Sequence, residues 1–325
     1  MPTIAARLLM PFKGTRCAIL LLVCLTVLAS GCGGEDDGAS NSAGTDSAQT
    51  ETFKGGDPPL PVAESSGENQ LTPRMLHEWL KEKNPEYENN AQFGPQDGEI
   101  IAVSLRDTGV TDLSPLAGMK LQSLDLFQTK VSDLSPLEGM PLVELMADET
   151  AVSDISPLAG MPLKTLWLNA TAVEDISPLK GMPIEKLNLF GTKVVDISVI
   201  ATLPLNTLWL RDVPVKDFRP LKGLYLDSLD VQGTAFGDDD LALLKAMPVL
   251  RLNIADTQVT DLTSLQNLKL TRLIFTPDRI KSGLDVVRSM NSLRELDVTF
   301  REPKRLAPPE FWSQHAAGAF NKPSE

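Results

Sequence analysis

Apolar residues recur along this chain with a fixed beat. Leu124, Leu145, Leu166, Leu187, Leu208 and Leu229 are each 21 residues apart. A constant period in this range is the mark of a solenoid, one supersecondary unit stacked on itself. Aligning on the Leu-x-Leu core gives ten strand centres: Val103, those six leucines, then Leu252, Leu273 and Leu296. Two steps, Leu229 to Leu252 and Leu273 to Leu296, are longer by two residues and hold the helical stretches DDDLALLKAM and DRIKSGLDVVRSM. Residues 100–300 therefore read as ten repeats of 21–23 residues.

Within a unit such as Leu121-x-x-Leu124-x-Leu126-x-x-Thr129-x-Val131, the leucines point inward while their neighbours alternate outward along a short strand. Ser114-Pro115, Ser135-Pro136, Ser156-Pro157 and Ser177-Pro178 place a cap hydroxyl before a proline and predict one helical turn on the opposite side. Gly118, Gly139, Gly160, Gly181 and Gly223 let the chain turn back. The expected fold is α/β: a curved parallel sheet on the concave side, with short helices or 3-10 turns on the convex side. The fifth repeat departs, with Val199 for proline and Thr202 for glycine.

The ends of a stack expose apolar surface and need lids. Residues 71–99 open with LTPRMLHEWLKEKNP, where Thr72 is a helix cap, Pro73 the first helical residue, and Met75, Leu76, Trp79 and Leu80 the apolar face of a capping helix. Residues 301–325 end the period, and Phe311, Trp312 and Phe320 are expected to cover the last rung within an irregular cap and tail.

The repeat LxxLxLxxTxVxDLSPLxGMP resembles the leucine-rich repeats of the internalin type, and is similar to arrays that stand alone or follow a protein kinase domain in large bacterial families. The resemblance covers residues 71–315 and implies a leucine-rich-repeat solenoid. Thr129, Thr150, Thr171, Thr192, Thr234 and Thr257 stand where the commoner family pattern has asparagine, and Val213 predicts a looser turn in the sixth repeat.

Ahead of the repeats, Arg7, Lys13 and Arg16 precede the apolar run from Cys17 to Ala29, so residues 1–31 read as a secretory signal. Leu28-Ala29-Ser30-Gly31-Cys32 resembles the lipobox of bacterial lipoproteins, with leucine one place further out than usual. The resemblance implies acylation at Cys32 and a membrane anchor, and Gly33 in place of aspartate favours the outer membrane or cell surface over the periplasmic face of the inner one. Residues 32–70 are rich in Gly, Ser, Thr, Asp, Glu and Pro and form a disordered tether spanning roughly 35 Å.

Composition narrows the chemistry. Cys17, Cys24 and Cys32 are the only cysteines, and His77 and His315 the only histidines, so neither disulfides nor a Cys- or His-based metal site is expected in the repeats. A net charge of −13 opposes phosphate backbones and argues against nucleic acid. Phosphate-cradling glycine loops, nucleophile elbows and kinase signatures are missing from the sequence, and no cofactor or metal is expected. The recurring Asp112, Asp133, Asp154, Asp175, Asp196, Asp217 and Asp261 read as turn formers.

The outward strand positions carry the candidate site. Trp167 and Trp209 fall two rungs apart, hence about 10 Å, with Phe127, Met146, Asn188 and Phe190 nearby and Arg211 alongside. Trp and Arg are enriched at binding hot spots. The expectation is a non-catalytic module that offers this face to a protein or glycan partner in the cell envelope. The alternatives are that the rings only pack against one another, that the chain is a self-associating envelope component, or that its acidic face acts on glycans.

Overall fold

The computed structural model describes residues 71–300 and 305–320. The signal, tether and Cys32 lie outside these. The Leu-x-Leu alternation produces one 11-stranded sheet whose strands stack in sequence order. A hairpin of β1 (Gln92–Gln96) and β2 (Glu99–Ser104) starts it. There follow β3 (Ser123–Asp125), β4 (Glu144–Met146), β5 (Thr165–Trp167), β6 (Lys186–Asn188), β7 (Thr207–Trp209), β8 (Ser228–Asp230), β9 (Arg251–Asn253), β10 (Arg272–Ile274) and β11 (Glu295–Asp297). From β2 onward all are parallel, with the ten core residues in register. The two longer steps keep that register, because their extra residues go into α2 (Asp238–Leu241) with the 3-10 turn Ala242–Ala246, and into α3 (Leu284–Ser289).

The leucines form one continuous buried column from Leu76 to Phe311. On the far side of the core, 3-10 turns such as Ser135–Leu137 and Ser156–Leu158 close each repeat. Their caps differ from expectation: no serine hydroxyl caps the turn. Asp133 Oδ1 instead accepts the Ser135 N–H at 2.8 Å, and the Ser135 hydroxyl donates back to Asp133 Oδ2 at 2.9 Å. The aspartate column thus supplies the caps, as local two-residue loops.

Gly139 and Gly160 adopt φ of 73°, left-handed backbone that a Cβ strains. In the fifth repeat a longer turn, Ser198–Thr202, replaces this device, and Thr202 Oγ1 accepts the Gly181 N–H from the rung before. The threonine hydroxyls also act locally: Thr171 Oγ1 donates to Leu168 O at 2.7 Å, within its own repeat. Val213 does not loosen its turn. Its N–H reaches Leu210 O at 3.2 Å, the same distance as Thr171 N–H to Leu168 O.

The N-terminal cap holds α1 (Pro73–Lys83), capped by Thr72 as expected. Its core face is Leu76 and Leu80, while Met75 and Trp79 face outward, Trp79 being 44% exposed. The cap also contains β1, which helix periodicity did not predict. Asp97 and Gly98, both at positive φ, make the tight turn that folds β1 back on β2 and covers the sheet's first edge. The C-terminal cap is not irregular but helical. Pro308 and Pro309 start α4 (Pro308–Ala316), which drives Phe311 fully into the last rung.

Candidate binding surface on the concave sheet

Side chains one before, one after and three after each core leucine stand on the open face of the sheet. Trp167, Asn188 and Trp209 follow the core leucines of β5, β6 and β7 and are register partners in turn. The indoles do not stay 10 Å apart. They lean together over the shorter Asn188, with ring centroids 6.2 Å apart and planes at 34°. Asn188 is left only 7% exposed, and its Oδ1 accepts the Phe190 N–H at 3.0 Å. Both indoles remain half-buried on the open face.

Around them lies a basin of about 660 Å³ whose wall includes Trp167, Asn188, Phe190, Trp209 and Arg211. Phe127 and Met146 lie outside it, toward the N-terminal end; Phe127 lies beneath Arg106, whose guanidinium carbon is 4.2 Å from the ring centroid. Met146 is the register partner of Trp167 on β4 and continues the apolar strip without joining the basin wall. Five of the seven sequence-predicted residues therefore line one hollow.

The column just before the core leucine did not figure among the sequence-predicted positions, although strand alternation puts it on the same face. It brings Lys186, Thr207, Ser228, Arg251 and Arg272 into the basin, and Arg305 reaches it from the segment before α4. Arg211 Nη2 binds Asp230 Oδ2 at 2.6 Å, and its guanidinium lies 5.3 Å from the Phe190 centroid and 5.6 Å from that of Phe300. Arg272 and Arg305 both pair with Glu295. Burial pushes the Glu295 carboxyl up, but hydrogen bonding and charge from Arg272, with Arg305, outweigh it and hold it below the usual range. Arg305 is thus fixed against Glu295 and over the Phe300 ring, at 4.6 Å.

The presence of tryptophan has a local consequence. Where the residue after the core leucine is Asp125, Asn188, Asp230 or Asn253, its own side-chain oxygen accepts the N–H two residues on. Trp167 has no acceptor to offer. Asp148, from the rung before, takes the Asn169 N–H instead, at 2.8 Å. It is 5% exposed, and burial pushes its carboxyl up to about 6, with the Asn169 bond opposing and the charges of Asp125 and Glu149 adding to the rise.

Among the described residues no group of His, Cys, Asp or Glu is placed to hold a metal ion. No helix among them is long and apolar enough to cross a membrane.

A stack of 21–23-residue units, strand on the hollow side, 3-10 turn on the other and a capped leucine column between, defines a leucine-rich-repeat solenoid. No model of a known protein family matches the chain, and no curated protein matches it by sequence. Among solved structures it is similar to internalin C2 from Listeria monocytogenes, with 28% identity and a TM-score of 0.52 over 62% of this chain and 92% of that one. It is also similar to a second internalin of that organism, InlF, with 26% identity and a TM-score of 0.55 over 69% of this chain and 74% of that one.

Proposed function

We propose that this chain is a non-catalytic binding module that presents its concave sheet to a protein or glycan partner in the cell envelope, held at a membrane by an acyl anchor on Cys32. The observation that carries the reading is the half-buried Trp167–Trp209 pair at the edge of an open basin. Water-facing indoles beside arginines are the composition of interaction sites. The likeness to internalins supports a role in recognition over one in catalysis. So does the commitment of the carboxylates in and behind the basin wall: Asp230 binds Arg211 and the Gln232 N–H, and Glu295 binds two arginines.

Replacing both Trp167 and Trp209 with alanine should abolish capture of a partner from envelope extract while the protein stays folded, with a melting temperature lowered by about 2–8 °C. Undiminished capture by that variant sinks the reading. Metabolic labelling with a fatty acid tests the anchor separately, since Cys32→Ser should lose the label.

Glu144 on β4 and the cations Lys186 and Arg251 of the basin are exposed on one sheet and favour a second reading, association of one copy with another. Sedimentation that becomes heavier with concentration, and reverts in the same double variant, would support it.

A further inference from the structure

The concave face is divided by charge, and the division points to the chemistry of what it binds. Toward the N-terminal end it carries the exposed Glu144, the buried Asp148, and the buried Asp125 paired with Arg106. The basin carries Lys186, Arg211, Arg251, Arg272 and Arg305, in a chain whose net charge is −13. Among the described residues, Asp230 in the wall and Glu295 and Asp297 on the neighbouring strand β11 stand against these five cations.

Arg251 and Arg272 are register partners on adjacent strands, a placement of like charges that costs stability unless something opposes it. Arg272 turns to Glu295. Arg251 is exposed, and so is Lys186, and among the described residues neither makes an ion pair or a side-chain hydrogen bond. Arg211 Nε, in the same wall, also has no acceptor among the described residues. Two uncompensated cations thus stand by the tryptophan pair, one from β6 between the two rings' strands and one from β9 on the C-terminal side.

Resting on the reading of this face as a binding surface, we propose that the basin takes an acidic segment of a protein partner. Its carboxylates would meet Arg251 and Lys186, and an apolar side chain would lie on Trp167 and Trp209. Guanidinium matches a carboxylate with paired donors. A basin of about 660 Å³ suits a few side chains. The 34° angle between the touching indoles gives a ridged apolar surface for a side chain to lie on, not the single flat platform on which a sugar ring lies.

Calorimetric titration of the whole chain with the blocked peptide Glu-Glu-Phe-Glu-Glu and its all-glutamine counterpart tests this. The acidic peptide should bind about tenfold tighter, weaken on raising salt from about 50 to about 300 mM, and lose about tenfold in the Lys186→Glu/Arg251→Glu variant at unchanged melting temperature. Equal affinity for both peptides, no binding of the acidic one, or indifference to the charge reversals overturns the proposal. Tighter binding of tetragalacturonate or of an oligothymidylate overturns it in favour of a glycan or a nucleic acid. If extract capture is lost in Trp167→Ala/Trp209→Ala but kept in the charge-reversal variant, the binding surface stands and its acidic preference falls.

Discussion

Trp167 and Trp209 touch across an intervening strand: their rings are 6.2 Å apart although β6 lies between them. The contact exists because Asn188 is short and turns its oxygen to the Phe190 N–H, leaving a gap the indoles close. A packed aromatic pair contributes about 1 kcal/mol beyond its burial. A double-mutant cycle with Trp167→Ala and Trp209→Ala, followed by urea unfolding, should return a coupling of about 1 kcal/mol. Additive losses would mean that the rings do not rest on each other in solution.

Asp148 gives the molecule a stability that depends on pH in an unusual direction. Its carboxyl titrates near 6 in the fold and at the ordinary carboxylate value of 3.8 when unfolded. Between these values the folded chain holds the proton more tightly, so this residue's contribution declines as pH rises from about 4 to about 6 and stays low above that. An asparagine side chain in its place would keep the acceptor for the Asn169 N–H without the buried charge. Asp148→Asn should therefore raise stability at pH 7.5 by on the order of 2 kcal/mol, with the gain fading toward pH 4. Denaturant melts at both pH values decide it, and a gain independent of pH would count against the buried charge as its cause.

The glycines of the repeat separate two causes of backbone intolerance. Gly160 has φ of 73° with open space where a Cβ would stand, whereas at Gly283, φ 83°, a Cβ would lie 2.5 Å from Thr263 N. Gly160→Ala should cost about 1–2 kcal/mol from conformation alone, and Gly283→Ala distinctly more because the neighbouring backbone must move. Conversely Ala170, at φ 53°, occupies the place that Gly191 takes in the next repeat. Ala170→Gly should stabilise the fold by about 1 kcal/mol. Thermal unfolding of the three variants tests the order.

The period of the leucines alone was enough to read the strands, their register and the two longer outer turns, because each rung repeats the same constraints and errors cannot accumulate. The pieces that escaped notice are those without a period. Asp97-Gly98 is a strong hairpin signal in two residues, yet it sits between a helix and the first rung, where a helical lid by itself already accounts for the covered end. At the site, Trp167, Asn188, Phe190, Trp209 and Arg211 were legible from alternation, and Lys186, Arg251 and Arg272 were equally available one position before the core leucines of β6, β9 and β10. Their charge was hidden by the chain's net −13, an average that says nothing about where the cations collect. Arg305 was beyond such reading, since no period links it to Glu295.

The C-terminal lid offers a test of how the stack is held together. Phe311 is fully buried, with its ring centroid 5.6 Å from Phe275, 5.1 Å from Trp312 and 4.9 Å from Phe320. Removing such a ring costs about 3–5 kcal/mol. In a solenoid each rung contacts only its neighbours, so the loss should be felt first where the lid sits and should fade along the stack. In Phe311→Ala, hydrogen exchange should quicken at β10 and β11 while β3 to β5 keep their protection. Uniform loss of protection over all strands would show instead that the ten rungs open as one cooperative unit.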